Sequence, residues 1–162
     1  MGLLKVRDIM TTQVMTLSPD NTISEVIKKL AVENLTGAPV VDKDSCMVGI
    51  ISQNDILGLF MKYAAKIDSM GGNGSMLLAS GLDSDTDDPV IKGAIENISK
   101  MKVRDIMIHT VLTTRPDADL IPLVKAMLTL GVSRVPVIEK GVLIGIVTGA
   151  DIIFSVSRKR RS

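Results

Sequence analysis

The chain repeats its own sequence, and this internal duplication constrains its fold more than any other feature. Val6-Arg7-Asp8-Ile9-Met10 returns as Val103-Arg104-Asp105-Ile106-Met107, and the offset of 97 residues holds without a gap as far as Lys43 and Lys140. One residue is then lost, so that 49–52 matches 145–148 at an offset of 96. Two copies of a half-domain predict a pseudo-two-fold pair with a cleft where the copies meet.

Each repeat shows the same predicted order of elements: a lead-in turn, a short strand, a helix, two strands and a second helix. In the first repeat, Val14–Leu17 is the short strand, and Thr22 with Glu25 forms a capping-box pattern. Apolar runs at 38–41 and 47–51 flank a polar turn, which indicates a hairpin of buried strands. The predicted fold class is α/β (α+β), with two β-α-β-β-α repeats related by pseudo-two-fold symmetry and small sheets packed against helices.

The segment between the repeats breaks the symmetry. Gly71-Gly72-Asn73-Gly74 indicates a flexible joint, and we expect part of 69–88 to be disordered. Asp88-Pro89 predicts the cap and first residue of a helix that ends near Met101. The predicted organisation is a first repeat at 1–66, a Gly- and Asp-rich insertion with a linker helix at 67–101, a second repeat at 102–157 and a basic tail at 158–162.

Composition limits the classes of function. Hydrophobic residues make up 46% of the chain, which is ample for a core, whereas aromatic residues make up 2% and offer few stacking platforms for single-stranded nucleic acid. The net charge of +1 provides no field to steer a polyanion. The single cysteine, Cys46, fits a reducing compartment. Early charged residues and short apolar runs predict neither a signal peptide nor a spanning helix, so we expect a cytoplasmic protein with no membrane partner.

Both repeats end their hairpin with a hydroxyl residue that is followed three positions later by a carboxylate. These residues are Ser52 and Asp55 in the first repeat, and Thr148 and Asp151 in the second. A pair of this kind at the start of a helix is a common N-cap, which would explain either copy structurally. Its recurrence in register favours a ligand site, because a hydroxyl beside an ionised carboxylate suits a ribose diol.

Other chemistry finds little support in the sequence. His109 and Cys46 are single, so neither a zinc set nor a Cys–His pair can be assembled. The glycines at 71–74 lack the following lysine of a P-loop. The acidic run that begins at Asp83 lacks the glycine and the final glutamate of a calcium loop. We expect no metal site, no required cofactor and no catalytic residue, and therefore no enzyme.

Taken together, these motifs resemble a tandem pair of cystathionine-β-synthase (CBS) domains, the Bateman module. The resemblance rests on the opening Val-Arg-Asp-Ile-Met, the Val-x-Thr-x-x-Pro-Asp, the strands at 37–41 and 134–138, and the two Gly-h-h-Ser/Thr-x-x-Asp elements. It covers the chain except for 69–100 and the basic tail. It implies a stand-alone regulatory module that binds AMP, ADP or ATP, with S-adenosylmethionine as a further candidate, in two clefts between the repeats.

The resemblance also implies which residues would meet a nucleotide. In one cleft the ribose would meet Thr148 and Asp151, and Arg134 would meet phosphate. The residues expected against the adenine in this cleft are Ser18, Ile23, Leu35, Thr36 and Ala38. The residues expected in the second cleft are Ser52, Asp55, Arg115, Leu120, Val132 and Ser133. Because Gly37 stands where the second repeat has Arg134, the Thr148/Asp151 cleft is the favoured site.

Family members usually pair through their helices, so the resemblance implies a homodimer, together with an effector protein that the sequence does not identify. The apolar residues compatible with a dimer surface are Ile56, Leu57, Phe60, Ile152, Ile153 and Phe154. Two alternatives stay open. One is a nucleic-acid-associated module that uses the basic tail at Arg158–Arg161, which is less favoured. The other is a structural or dimerisation module that binds no nucleotide.

Overall fold

The computed structural model describes residues 3–82, 85–109 and 111–158. After a 3-10 turn at Val6–Asp8, the helices and strands are, in chain order, α1 (Ile23–Glu33), β1 (Gly37–Val41), β2 (Met47–Ser52), α2 (Gln53–Ser69), α3 (Ser75–Ser80), α4 (Pro89–Lys100), α5 (Val103–Ile106), α6 (Leu120–Leu130), β3 (Arg134–Glu139), β4 (Val142–Thr148) and α7 (Gly149–Ser157). Residues 159–162 of the basic tail lie outside the described residues, as do 83 and 84 of the acidic run.

Helix α1 begins where the capping-box pattern predicts. The Thr22 hydroxyl accepts a hydrogen bond from the Glu25 backbone N–H (3.2 Å), and the Glu25 carboxylate accepts one from the Thr22 N–H (3.3 Å). Its buried residues, Ile23, Val26 and Leu30, recur at helical spacing on one side. An isolated helix of 11 residues is marginal in water, so burial of this stripe is what stabilises α1.

The described strands form two separate two-stranded sheets, β1–β2 and β3–β4. β3 runs antiparallel to β4, and Lys140 (φ 51°) and Gly141 (φ 80°) make the two-residue turn between them. This tight turn confirms where the second repeat loses one residue. The predicted first strand of each repeat is shorter in the structure. It consists of one parallel bridge, from Leu17 to Val40 in the first repeat and from Thr114 to Val137 in the second. A proline follows each bridge within two residues and cannot donate to a longer ladder.

The chain folds into two compact units that do not coincide with the two repeats. One, the insertion unit, comprises Leu17–Val40 and Val48–His109. The other, the terminal unit, comprises the described parts of Met1–Thr16, Val41–Met47 and Thr110–Ser162. The lead-in of each repeat (5–12 and 102–109) therefore belongs to the unit that holds the polar element, the hydroxyl–carboxylate pair, of the other repeat.

The two lead-ins attach to these units in the same way. In the terminal unit, Thr11 and Ile146 exchange two backbone hydrogen bonds of 2.9 Å each. In the insertion unit, Ile108 and Ile50 exchange two backbone hydrogen bonds of the same length. The two pairs occupy equivalent positions in the duplicated sequence. The duplication therefore preserves the way each lead-in is hydrogen-bonded to a hairpin strand.

Steric crowding explains why both repeats carry a glycine in the second strand of the hairpin. A Cβ atom at Gly145 would lie 3.0 Å from the Met10 sulfur, and one at Gly49 would lie 2.8 Å from the Met107 sulfur. These distances are shorter than ordinary van der Waals contact. Each glycine therefore makes room for the methionine of a lead-in.

Much of the insertion is helical, although its glycine-rich sequence predicted a flexible joint. Leu77 of α3 is fully buried, and α4 contacts α1, α2 and α3. Helix α4 begins as predicted, because the Asp88 carboxylate accepts a hydrogen bond from the Val90 N–H (2.9 Å) and Pro89 occupies the first turn. Burial of Leu77 therefore ties this part of the insertion to the helices around it.

The core of the terminal unit is aliphatic, in keeping with the scarcity of aromatic residues. Its buried members are Val6, Leu120, Leu123, Met127, Val135, Val137 and Val147. They come from the first lead-in, from α6 and from both strands of the second hairpin. This core fixes the end of β4, where the polar element of the second repeat begins.

Candidate functional site

In the terminal unit, β4 ends at Thr148, whose side chain caps helix α7. Thr148 Oγ1 accepts a hydrogen bond from the Asp151 backbone N–H (3.1 Å), and Asp151 Oδ2 accepts one from the Thr148 N–H (2.9 Å). The N-cap role inferred from the sequence is thus confirmed for this pair. The other carboxylate oxygen, Asp151 Oδ1, takes no part in the capping box and is an acceptor available for other donors.

The insertion unit carries the equivalent cap at the end of β2. The Ser52 N–H and the Ser52 hydroxyl both donate to Asp55 Oδ2, at 2.8 and 3.0 Å. The Asp55 N–H donates in return to Ser52 Oγ (3.4 Å). The two caps therefore share the same reciprocal pair of hydrogen bonds, and the Ser52 hydroxyl adds a third bond, to Asp55 Oδ2.

Thr11 is a neighbour of Asp151 that the sequence reasoning missed. Its hydroxyl donates to Asp151 Oδ1 (3.2 Å), the oxygen that the capping box leaves unused. An open hollow of about 800 Å³ lies beside these two side chains, and Asp8, Phe154 and Arg158 also line it. The available sequence signal was the duplication itself, because the residue 97 positions after Thr11 is an isoleucine rather than a hydroxyl residue.

Arg134, the predicted phosphate ligand, is brought next to the second polar element. It is half-buried at the start of β3, and its Cα is paired with that of Thr148 in the β3–β4 register. Gly37 holds the equivalent place in β1. A Cβ atom there would lie 2.8 Å from the Ile51 carbonyl oxygen and 3.2 Å from the Ser52 Cα, so the backbone leaves no room for a side chain.

The residues predicted against the adenine of the favoured cleft lie in the insertion unit. Ile23 and Ala38 are buried there (0% and 1% exposed), which leaves Ser18, Leu35 and Thr36 as the accessible members. The Thr36 carbonyl accepts a hydrogen bond from the Gln53 N–H (2.8 Å), beside the Ser52/Asp55 cap of the same repeat. Their combination with Thr148 and Asp151 of the terminal unit stays a prediction.

The residues predicted to complete the second cleft lie in the terminal unit. Arg115 is exposed, with its Nε 3.4 Å from Asp117 Oδ1, whereas Leu120 belongs to the core. Val132 is half-buried and packs against that core. The carbonyl of exposed Ser133 accepts a hydrogen bond from the Gly149 N–H (3.0 Å), so Ser133 lies beside the cap of its own repeat. Its assignment to the Ser52/Asp55 cleft also stays a prediction.

The apolar residues expected on a dimer surface differ in exposure. Ile56 and Phe60 are buried (7% and 8% exposed), so the expectation that they offer surface for a partner is wrong. Leu57, Ile153 and Phe154 are exposed, between 53% and 71%. Ile152 is half-buried and packs against the core of the terminal unit, so the other three are the members that a partner could still reach.

Two negative findings concern the part of the chain that the structure describes. No three His, Cys, Asp or Glu side chains within those ranges come together as metal ligands, and Asp83 of the acidic run lies outside them. None of the described helices is both long and apolar enough to cross a membrane.

Comparison with known proteins places the chain in a family. The sequence profile of the CBS domain matches residues 6–62 and 103–158. The uncharacterized protein MJ1426 of Methanocaldococcus jannaschii is 30% identical over 152 residues, which cover 93% of this chain and 90% of the relative.

Solved structures agree with the fold. CBSX2 in complex with AMP superposes with a TM-score of 0.68 at 22% identity, covering 94% of this chain and 95% of the other. The CBS domain pair of protein MJ0100, in complex with 5′-methylthioadenosine and S-adenosyl-L-methionine, superposes with a TM-score of 0.64 at 23% identity, covering 97% and 100%. The duplication, the two hairpins and the matched profile lead to one conclusion: the chain belongs to the CBS domain family and carries two CBS domains in tandem.

Proposed function

We propose that the protein is a regulatory module that binds an adenosyl nucleotide and that its favoured site is built on Thr148 and Asp151. The observation that carries the proposal is the arrangement of three polar residues at the end of β4. Thr148 and Asp151 hold each other through the cap, and Arg134 starts the neighbouring strand in register with Thr148. The backbone register thereby brings an arginine to the same end of the β3–β4 hairpin as the hydroxyl and the carboxylate.

These three groups suit the polar parts of a nucleotide. A ribose hydroxyl donates well to an ionised carboxylate, and each bond of this kind contributes about 1.5–3 kcal/mol. Asp151 Oδ1 is the oxygen that the capping box leaves for this purpose. A guanidinium binds phosphate oxygens in pairs, so Arg134 would select a ligand that carries phosphate. The nucleotide would thus be held through its sugar and its phosphate.

The solved relatives support the same ligand class. CBSX2 is in complex with AMP, and the MJ0100 domain pair is in complex with 5′-methylthioadenosine and S-adenosyl-L-methionine. All three ligands share an adenosyl group. AMP, ADP and ATP are our first candidates because Arg134 offers a phosphate ligand, and S-adenosylmethionine is a further candidate.

The two repeats would bind unequally. The first repeat has Gly37 in place of Arg134, and the 2.8 Å approach to the Ile51 carbonyl explains why no side chain stands there. The Ser52/Asp55 site therefore lacks the matching phosphate ligand. The residues of the other repeat assigned to each cleft, such as Ser18 and Arg115, would complete the base-binding side.

The output of such a module would be a conformational signal to a partner in the cytoplasm. A ligand shifts a conformational equilibrium only when it binds one state better than the other. We propose that the module works as a homodimer, with exposed Leu57, Ile153 and Phe154 among the side chains at hand for the contact.

Calorimetric titration of the purified protein tests the ligand class. AMP, ADP, ATP, S-adenosylmethionine and 5′-methylthioadenosine are titrated separately, with GMP as the control that has the same sugar and phosphate but another base. The proposal predicts saturable binding of at least one adenosyl ligand and weaker binding of GMP. If none of the adenosyl ligands binds at millimolar concentration, the proposed function is wrong.

A further inference from the structure

The hydroxyl of Thr11 contacts the carboxylate of Asp151 through the oxygen that the cap does not use. Asp151 Oδ2 accepts from the Thr148 N–H (2.9 Å), and Asp151 Oδ1 accepts from Thr11 Oγ1 (3.2 Å). Two donors on two different oxygens oppose rotation of the carboxylate about its terminal bond, which is otherwise broad. The Thr11 backbone is itself held by its two hydrogen bonds with Ile146.

The first repeat lacks this second restraint. Ile108 occupies the equivalent place in the insertion unit, with the same pair of backbone hydrogen bonds to Ile50. Its side chain has no hydroxyl and cannot donate to a carboxylate. The hydrogen bonds from Ser52 both reach Asp55 Oδ2, so the cap restrains that carboxylate through one oxygen.

We propose that Thr11 is a positioning residue for Asp151 and that it makes the Thr148/Asp151 site the tighter of the two. The inference rests on the proposed function and adds a residue from a lead-in to that site. Thr11 holds Asp151 Oδ1 in place for the ribose diol, and its hydroxyl oxygen keeps lone pairs that can accept from a ribose hydroxyl in turn. A carboxylate that is already oriented loses less conformational freedom when the ligand binds.

The hydroxyl and the methyl group of Thr11 can be separated by substitution. Thr11→Val keeps the β-branched shape and removes the hydroxyl, whereas Thr11→Ser keeps the hydroxyl. Thr12→Val is the matched control, because it makes the same change on the adjacent exposed residue. All three variants keep the backbone N–H and C=O that pair with Ile146, so we expect their thermal unfolding to match that of the wild type.

The experiment titrates each variant with AMP and with 2′,3′-dideoxy-AMP, which lacks both ribose hydroxyls. We expect Thr11→Val to weaken AMP binding about tenfold, the scale of one hydrogen bond to a charged group. The same variant should bind the dideoxy compound as the wild type does. Thr11→Ser should restore AMP affinity, and Thr12→Val should leave it unchanged.

Three results would overturn the inference while the proposed function stands. In the first, Thr11→Val binds AMP like the wild type although Asp151→Ala does not. In the second, Thr11→Val weakens the binding of AMP and of the dideoxy compound equally, and in the third, Thr11→Ser fails to restore AMP affinity. Failure of the proposed function has a different pattern. In that case the wild type binds no adenosyl ligand, or Asp151→Ala binds AMP unchanged, and the inference falls with it.

Discussion

Replacing Gly37 with alanine should destabilise the protein, because the backbone of the neighbouring strand occupies the space that a side chain would need. The new Cβ would lie 2.8 Å from the Ile51 carbonyl oxygen and 3.2 Å from the Ser52 Cα. Both contacts are to backbone atoms, which cannot rotate away. Forcing one methyl group into such a place costs about 1–3 kcal/mol of unfolding free energy. For a domain of this size, each kcal/mol lowers the melting temperature by about 2–4 °C.

Gly58→Ala provides the matched control for this prediction. Gly58 lies within α2, and a Cβ atom there would meet no atom within 4 Å. Alanine in a helix interior is more stable than glycine by about 0.5–1 kcal/mol, so the same substitution should raise the melting temperature. Thermal unfolding followed by circular dichroism measures both variants. Gly37→Ala melting at or above the wild-type temperature would refute the steric reason for the unequal repeats.

Two further predictions concern the helices of the insertion. Leu77→Ala should cost about 2–5 kcal/mol in urea unfolding, because Leu77 is fully buried, whereas Leu78→Ala should stay within about 0.5 kcal/mol, since Leu78 is 55% exposed. Equal effects of the two changes would show that α3 does not pack as described. Asp88→Ala should cost about 1 kcal/mol through loss of the cap on Val90 N–H, and Asp88→Asn should retain most of that stability. A loss as large in the asparagine variant as in the alanine variant would contradict the capping role.

Much of this architecture is readable from the sequence because its determinants are local. The capping box at Thr22 and the caps at Ser52 and Thr148 need only residues three positions apart, and all three form as predicted. The tight turn at Lys140 follows from the single missing residue of the second repeat.

The rest depends on contacts between distant segments. The sequence repeats along the chain do not reveal that each lead-in attaches to the strands of the other repeat, since the duplication is equally consistent with either arrangement. The contact between Thr11 and Asp151 is not evident in the sequence for the same reason, because 140 positions separate the two residues. Helix α3 is not evident in the sequence either, because burial of Leu77 outweighs the glycine-rich composition around it.

The central claim is that Asp151, rather than Asp55, carries the tighter adenosyl site, and AMP titration of Asp151→Ala and Asp55→Ala tests it most directly. The two variants are matched, because each removes the carboxylate of an equivalent cap. Loss of hydrogen bonds worth about 1.5–3 kcal/mol should weaken the tightest AMP binding event about 10- to 150-fold in Asp151→Ala, and Asp55→Ala should leave that event unchanged. Unchanged AMP affinity in Asp151→Ala, or loss of the tightest event in Asp55→Ala, would contradict the account.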